Sequence, residues 1–238
     1  MKKMNQNKVI AFDADDTLWI NETFYKEAEN KFSKLLKEYL TEKESFQELF
    51  NTEMQNIGLF GYGAKGFTLS MIETALKVSE RKISTTAIQE ILNIGKKLMD
   101  YPLVVLPGVE QVLAELREKC RIIIITKGDL IDQERKLDKS GLTPYFHHIE
   151  ILSNKKEENY RNLLTSMEID AENFLMIGNS LRSDIIPVLN IGAYAIHIPF
   201  RVNWVHESEI EEEINSNKFF TTENITQITE IAENNFLT

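Results

Sequence analysis

The chain has 238 residues, a formal net charge of −10 at pH 7 and a pI of about 5.1. A chain this acidic is poorly suited to non-specific contact with nucleic acid or anionic lipid, and its apolar runs fall far short of the ~20 residues that a membrane helix needs. Its single cysteine, Cys120, excludes an internal disulfide and a thiolate zinc site. We therefore expect a cytoplasmic globular protein with no nucleic-acid or membrane partner, and the length suits one core plus an insert.

An acidic cluster follows the first apolar run of the sequence. The run from Lys8 to Phe12 is short and apolar on both faces, which is typical of a parallel strand buried within a sheet. Asp13, Asp15 and Asp16 come directly after it. The first predicted strand therefore delivers carboxylates to one end of the sheet.

Residues 21–100 have helical spacing throughout. Apolar side chains recur there on one face of each segment, and Thr41 with Glu44 and Thr86 with Gln89 have the spacing of helix-capping pairs. Nothing in this stretch has the alternation of a strand. The sequence therefore predicts an all-helical insert over residues 21–100.

After residue 100 the pattern changes to alternating strands and helices with short loops. Such a rhythm is typical of a parallel sheet with helices on both faces. We predict an α/β fold: a three-layer, doubly wound, Rossmann-like parallel sheet formed by residues 1–20 and 101–238. The predicted strands are 121–126, 149–152, 174–177 and 193–198, the predicted helices are 109–116, 130–140, 157–167 and 183–190, and a strand and a helix follow from Phe219.

Chemistry-bearing side chains stand directly after the predicted strands. Ligands bind outside the carboxyl ends of the strands in open α/β sheets, so these positions form the candidate site. Four strands supply, in order, paired carboxylates, a hydroxyl, an ammonium, and an amide with a further carboxylate. The residues are Asp13 and Asp15; Thr126 and Lys127; Lys155; and Asn179 and Asp184.

Paired carboxylates at this edge predict a divalent cation. Asp13 and Asp15 repel each other unless a cation lies between them, and a hard ion of the Mg²⁺ type, which prefers oxygen ligands, resolves the repulsion. Asn179 and Asp184 can complete or brace such a site.

The remaining groups predict a cradle for a tetrahedral anion. A hydroxyl from Thr126, the backbone N–H of Lys127 and the ammonium of Lys155 are suited to bind phosphate oxygens. With cation and cradle in place, an aspartate can attack phosphorus in line, and water then cleaves the aspartyl-phosphate. A second aspartate can protonate the leaving oxygen and later activate the water.

Four ordered motifs in residues 8–198 resemble those of the haloacid dehalogenase superfamily. Asp13-Ala14-Asp15-Asp16-Thr17 matches the DxDxT first motif. Thr126 matches the second motif, Lys155 the third, and the segment from Gly178 to Asp184 the fourth, which is usually GDxxxxD. The helical insertion after the first motif corresponds to the family's type 1 arrangement, which makes residues 21–100 a cap domain.

The resemblance implies a role for each motif residue. Asp13 would be the nucleophile and Asp15 the general acid and base, while Thr126 and Lys155 would bind and neutralise the phosphoryl group. Mg²⁺ would be held by Asp13, the backbone carbonyl of Asp15, and the fourth-motif residues Asn179 and Asp184. The implied activity is that of a phosphatase acting on a small phosphorylated metabolite.

Two departures from the family pattern bear on this prediction. Asn179 stands where an aspartate is commoner, so the metal site loses one negative charge. The third motif lacks the frequent Lys-Pro dipeptide, and Lys155 and Lys156 compete for its role; the spacing to Tyr160 favours Lys155. The carboxylate of Asp15 favours phosphate esters, because a dehalogenase has no leaving alkoxide to protonate.

Other interpretations of the same residues are open. A phosphomutase, a dehalogenase, or a non-enzymatic signalling domain that stores an aspartyl-phosphate would use related groups. The acidic cluster also suits a helix cap, and Gly61 to Gly66 matches GxGxxG but follows no strand, so we expect a connection whose Tyr62 and Lys65 can face substrate. Trp204 and His206 follow the last core strand and could rim the site.

Overall fold

The computed structural model describes residues 5–201 and 214–238, so Trp204 and His206 lie outside the described residues. Strands and helices alternate after residue 100 as the sequence predicts. The strands are β1 (Asn5–Phe12), β2 (Cys120–Lys127), β3 (His148–Leu152), β4 (Phe174–Gly178), β5 (Tyr194–His197) and β6 (Phe219–Thr221). The helices are α1 (Glu22–Leu35), α2 (Glu42–Phe60), α3 (Ala64–Val78), α4 (Thr85–Met99), α5 (Val109–Arg117), α6 (Leu130–Ser140), α7 (Glu157–Ser166), α8 (Ile186–Asn190) and α9 (Ile228–Asn235).

The six strands form one parallel sheet in the order β3-β2-β1-β4-β5-β6. β1 lies inside it, and its last residue, Phe12, pairs with Ile124 of β2 on one side and Ile177 of β4 on the other. The residues that follow these strands therefore emerge at one edge of the sheet. This register places the predicted site residues on neighbouring strands.

Side chains of the inner strands alternate between two apolar cores, because successive residues of a strand point to opposite faces. Ile10 and Phe12 pack in one core with side chains of α5, α6 and α9, and Val9 and Ala11 pack in the other with side chains of α7 and α8. Cys120 is buried in the first core. The sheet is covered on both faces, which confirms the predicted three-layer α/β architecture.

The chain divides into two compact units. The first, here called the α/β unit, comprises Met1–Glu22, Leu103–Lys127 and Lys136–Thr238; the second, the helical unit, comprises Thr23–Pro102 and Gly128–Arg135. Apolar side chains of α1 to α4 form the core of the helical unit, among them Phe32, Leu49 and Met71. Among the described residues, no helix is both long and apolar enough to cross a membrane.

Helix starts in the helical unit follow the sequence in part. The Thr41–Glu44 capping box precedes α2, as predicted. α4 is capped by Ser84, whose hydroxyl accepts the Ala87 N–H, so the predicted cap at Thr86 is wrong. Similarly, α3 already begins at Ala64, which makes the glycine-rich connection shorter than predicted.

The segment before α8 differs from the prediction of one helix over 183–190. A single π-type turn, Leu181–Ile185, precedes α8. Pro187 has no backbone N–H, so it cannot bond the Ser183 carbonyl in a regular helix. The Tyr160 hydroxyl donates to that carbonyl instead, at 3.0 Å. The turn that carries Asp184 is thus fixed from α7.

Candidate active site

A buried ammonium joins two buried carboxylates at the carboxyl edge of the sheet. Lys155 Nζ donates a hydrogen bond to Asp13 Oδ1 and a second, 2.7 Å long, to Asp184 Oδ1. All three residues are at most 7 % exposed. The residues predicted from the first, third and fourth motifs are therefore in direct contact. Lys156, by contrast, is exposed at the start of α7.

Burial and charge act against each other in this group. Burial raises the pKa of Asp13 to about 7, the Lys155 ammonium opposes this rise, and the carboxylates of Asp184 and Asp15 add to it. Burial by itself would lower the pKa of Lys155, but the carboxylates of Asp13 and Asp184 raise that pKa above its ordinary value. Lys155 therefore stays protonated and stabilises negative charge between the two aspartates.

Gly178 lets the carboxylate of Asp184 approach the end of β4. A Cβ atom at Gly178 would lie 2.3 Å from Asp184 Oδ2, far inside van der Waals contact. That same oxygen accepts the Ser180 N–H at 3.1 Å, and the Ser180 hydroxyl accepts the Ser183 N–H at 3.1 Å. The turn after β4 therefore closes around the Asp184 side chain and fixes its direction.

Thr17 connects the first and fourth motifs. Its hydroxyl oxygen lies 3.2 Å from Asp13 Oδ2 and 3.3 Å from Asn179 Oδ1, and it accepts the Asn179 N–H at 3.1 Å. A hydroxyl has one proton, so it can satisfy only one of the two oxygens at a time. The side-chain oxygens of Asp13 and Asn179, from different motifs, therefore lie close to the same hydroxyl.

The second motif lies beside this group. Thr126 is buried near the end of β2, paired with Ile151 of β3. The Lys127 side chain is directed to the fourth motif, where its ammonium donates to the Ser183 hydroxyl at 2.9 Å. The anion-binding roles of the Thr126 hydroxyl and the Lys127 backbone N–H remain predictions.

Asp15 belongs to a second cluster next to the first. Its carboxylate accepts hydrogen bonds from Lys136 Nζ at 2.9 and 3.0 Å, one to each oxygen, and from Trp19 Nε1 at 2.7 Å. Its charge nevertheless acts on Asp13, whose pKa it raises. Lys136 was missed by the sequence analysis because it lies on a helix face with no motif around it.

Asp16 is a helix cap, as one interpretation of the acidic cluster allowed. Its carboxylate accepts the backbone N–H groups of Asn21 at 2.8 Å and Glu22 at 2.9 Å, at the start of α1. Its φ is +62°, a left-handed conformation that aspartate tolerates better than most residues. Asp16 therefore shapes the turn after β1 and orients the chain toward α1.

The donor set suits a hard divalent cation. Among the described residues, no group of three or more His, Cys, Asp or Glu side chains is arranged to hold a metal, so carboxylates alone do not make a site. Asp13, Asp184 and Asn179 nevertheless present only oxygen ligands. When Asp13 is ionised, two carboxylates against one ammonium leave the group anionic. Oxygen ligands with net negative charge fit Mg²⁺, which usually retains several waters.

Comparisons with known proteins point to a hydrolase family. The model of a haloacid dehalogenase-like hydrolase family matches residues 7–192. A solved structure of a haloacid dehalogenase-like family hydrolase from Xanthomonas campestris is 36% identical, with a TM-score of 0.87, over 99% of this chain and 97% of that one.

Two curated relatives are phosphatases. Glyceraldehyde 3-phosphate phosphatase from Pyrococcus abyssi is 32% identical over 92 residues, which are 36% of this chain and 39% of that protein. N-acylneuraminate-9-phosphatase from Mus musculus is 28% identical over 128 residues, 52% of this chain and 50% of that protein. The matches thus span half or less of each relative's length.

Proposed function

The chain belongs to the haloacid dehalogenase-like hydrolase family, and on this premise we propose that it is a Mg²⁺-dependent phosphatase of a small phosphorylated metabolite. The observation that carries the proposal is the buried contact of Lys155 with Asp13 and Asp184. This contact supports a site in which an aspartate at the edge of the sheet lies next to a bound oxyanion and a fixed positive charge. The two phosphatase relatives support ester hydrolysis of a phosphoric monoester.

In this proposal Asp13 attacks phosphorus. A bond forms between an Asp13 carboxylate oxygen and phosphorus, and the bond from phosphorus to the ester oxygen breaks. Asp15 gives its proton to that leaving oxygen. In the second step Asp15 takes a proton from water, whose oxygen bonds to phosphorus as the bond to Asp13 breaks. Phosphate and free Asp13 result.

Lys155 and Thr126 bind the phosphoryl oxygens in this proposal. The Lys155 ammonium is in place before substrate arrives, so no reorganisation is needed when charge develops. Asp13, the Asp15 backbone carbonyl, Asn179 and Asp184 would hold Mg²⁺. When bound, this ion would neutralise charge on the phosphoryl group and on Asp13.

The helical unit is proposed to act as a cap that selects the substrate. In this proposal the cap domain is residues 21–100, which contain α1–α4, and the core domain is residues 1–20 and 101–238. The two relatives act on different phosphorylated compounds, so the class of substrate is proposed only as a small phosphorylated metabolite in the cytoplasm.

The test is phosphate release from a panel of phosphorylated metabolites and one aryl phosphate, with Mg²⁺ and with EDTA. The proposal predicts release with Mg²⁺ and loss of release with EDTA. Product analysis separates the rival reactions, since a phosphomutase returns an isomeric phosphate ester and a dehalogenase releases halide from a 2-haloacid. No release from any ester would contradict the proposal.

A further inference from the structure

The Lys136 side chain pairs with the carboxylate of Asp15. The ammonium donates to both carboxylate oxygens of Asp15, at 2.9 and 3.0 Å, and to Asn21 Oδ1 at 2.8 Å. The side chains of Lys136 and Asp15 are only 18% and 21% exposed. A two-oxygen contact fixes the plane of a carboxylate as well as its position, because rotation would break one of the two bonds.

Trp19 holds the same carboxylate from another side. Its indole Nε1 donates to Asp15 Oδ1 at 2.7 Å, and its ring is fully buried in the core of the α/β unit. The backbone of Trp19 is also tied to Val105 and Asp15 by isolated bridges. The indole donor is therefore rigid, while the ammonium lies at the end of a flexible side chain.

The fold restricts where Lys136 can place its ammonium. The Asp129 carboxylate accepts the Asp132 N–H at 3.0 Å, which caps the start of α6. Leu137, next to Lys136, is buried in the same core as Trp19. The backbone at Lys136 is thus anchored, and its side chain spans from α6 to the segment after β1.

We propose that Lys136 is a positioning residue that orients Asp15 for proton transfer to the leaving group. This inference rests on the proposed function, in which Asp15 gives a proton to the ester oxygen as its bond to phosphorus breaks. General acid catalysis requires the acid within hydrogen-bond reach of the leaving oxygen. A carboxyl that rotates freely about its side-chain bonds satisfies this requirement only part of the time.

The leaving group of the substrate provides the test. Departure of an alkoxide from an alkyl phosphate needs a proton, whereas departure of a dinitrophenolate does not. The value of kcat/KM reports steps up to and including departure, so it is insensitive to hydrolysis of the aspartyl-phosphate. Lys136→Met should therefore lower kcat/KM for an alkyl phosphate substrate by about 10- to 100-fold, and for dinitrophenyl phosphate by less than about 3-fold.

Three further variants control this measurement. Lys136→Arg should recover a large part of the lost kcat/KM, because it retains two donors on a cation. Lys119→Met removes an ammonium from a surface ion pair with Glu233 and should leave kcat/KM unchanged for both substrates. In an Asp15→Asn background, Lys136→Met should have no further effect on the alkyl phosphate, since it acts through Asp15.

The outcomes separate the inference from the proposed function. If the wild-type protein hydrolyses both esters and Lys136→Met lowers both equally, or neither, the positioning role is wrong while the phosphatase stands. A higher kcat/KM for the alkyl phosphate in Lys136→Met also contradicts it, because the ion pair would then hold Asp15 away from its task. If the wild-type protein hydrolyses neither ester, the proposed function itself fails.

Discussion

The α/β unit and the helical unit place different charges around their buried carboxyl groups. In the α/β unit, Asp13 and Asp184 share the Lys155 ammonium, and all three lie in the interior. In the helical unit, burial and the Glu29 carboxylate raise the pKa of Glu53 to about 8. Burial raises the pKa of both carboxyl groups, but at Asp13 the Lys155 ammonium opposes the rise, which ends at about 7.

The presence of a nearby cation distinguishes a carboxylate that can react from a carboxyl group that is only buried. A buried carboxylate without a cation takes up a proton, because the interior disfavours the charged form. A nucleophilic carboxylate must be ionised, so it needs a compensating charge nearby. The helical unit also buries hydroxyl groups. Among the described residues, Ser45 Oγ and Thr74 Oγ1 are buried with no hydrogen-bond partner.

The largest expected effect comes from removing the shared ammonium. Lys155→Met leaves two buried carboxylates without their cation, which should lower the free energy of unfolding by about 3–5 kcal/mol and reduce kcat by about 100-fold or more. Denaturant unfolding and phosphate release measure the two effects. The exposed neighbour offers a matched control: Lys156→Met should change stability by less than about 0.5 kcal/mol. Equal effects of the two variants would contradict the proposed role of Lys155.

A smaller effect is expected from filling the space beside Asp184. Gly178→Ala places a Cβ atom 2.3 Å from Asp184 Oδ2. The carboxylate is held in place by Lys155 at Oδ1 and by the Ser180 N–H at Oδ2. Unfolding free energy should fall by about 1–3 kcal/mol. Gly58 in α2 has nothing within 4 Å of such an atom, so Gly58→Ala should instead stabilise the protein by about 0.5–1 kcal/mol. A stabilising Gly178→Ala would refute the close approach.

The smallest expected effect is a pH dependence in the helical unit. The pKa of Glu53 is raised to about 8 in the folded protein, so its stabilising effect is present in acid and is lost as pH rises. Between about pH 7 and 8 the wild-type protein should lose about 1 kcal/mol relative to Glu53→Gln. Denaturant unfolding at several pH values measures this, with the exposed Glu90→Gln as control. Parallel pH profiles for wild type and Glu53→Gln would show that Glu53 is ionised throughout.

The positions of the strands and the residues after them could be predicted from the sequence. Runs that are apolar on both faces have few alternatives to a buried parallel strand, and the parallel register then brings their ends to one edge. The spacing to Tyr160 favours Lys155 over Lys156, and Lys155 is the one in contact with Asp13 and Asp184.

The remaining features depend on contacts between distant segments. Ser84, Thr85 and Thr86 all carry hydroxyls, and local sequence does not decide which one caps α4. The π-type turn before α8 needs the Tyr160 hydroxyl, which comes from another helix. Lys136 reaches Asp15 across 121 positions of sequence, with no motif to mark it.

The central claim is that Asp13 carries the phosphoryl group, and chemical trapping tests it most directly. The Asp15→Asn variant lacks the base for the second step, so with dinitrophenyl phosphate and Mg²⁺ it should accumulate the aspartyl-phosphate. Borohydride reduces an acyl phosphate to the alcohol, and mass spectrometry locates the resulting homoserine. The account predicts homoserine at position 13, and none when Asp13→Asn is added. Homoserine at any other aspartate, or dinitrophenolate release that persists in the Asp13→Asn protein, would contradict it.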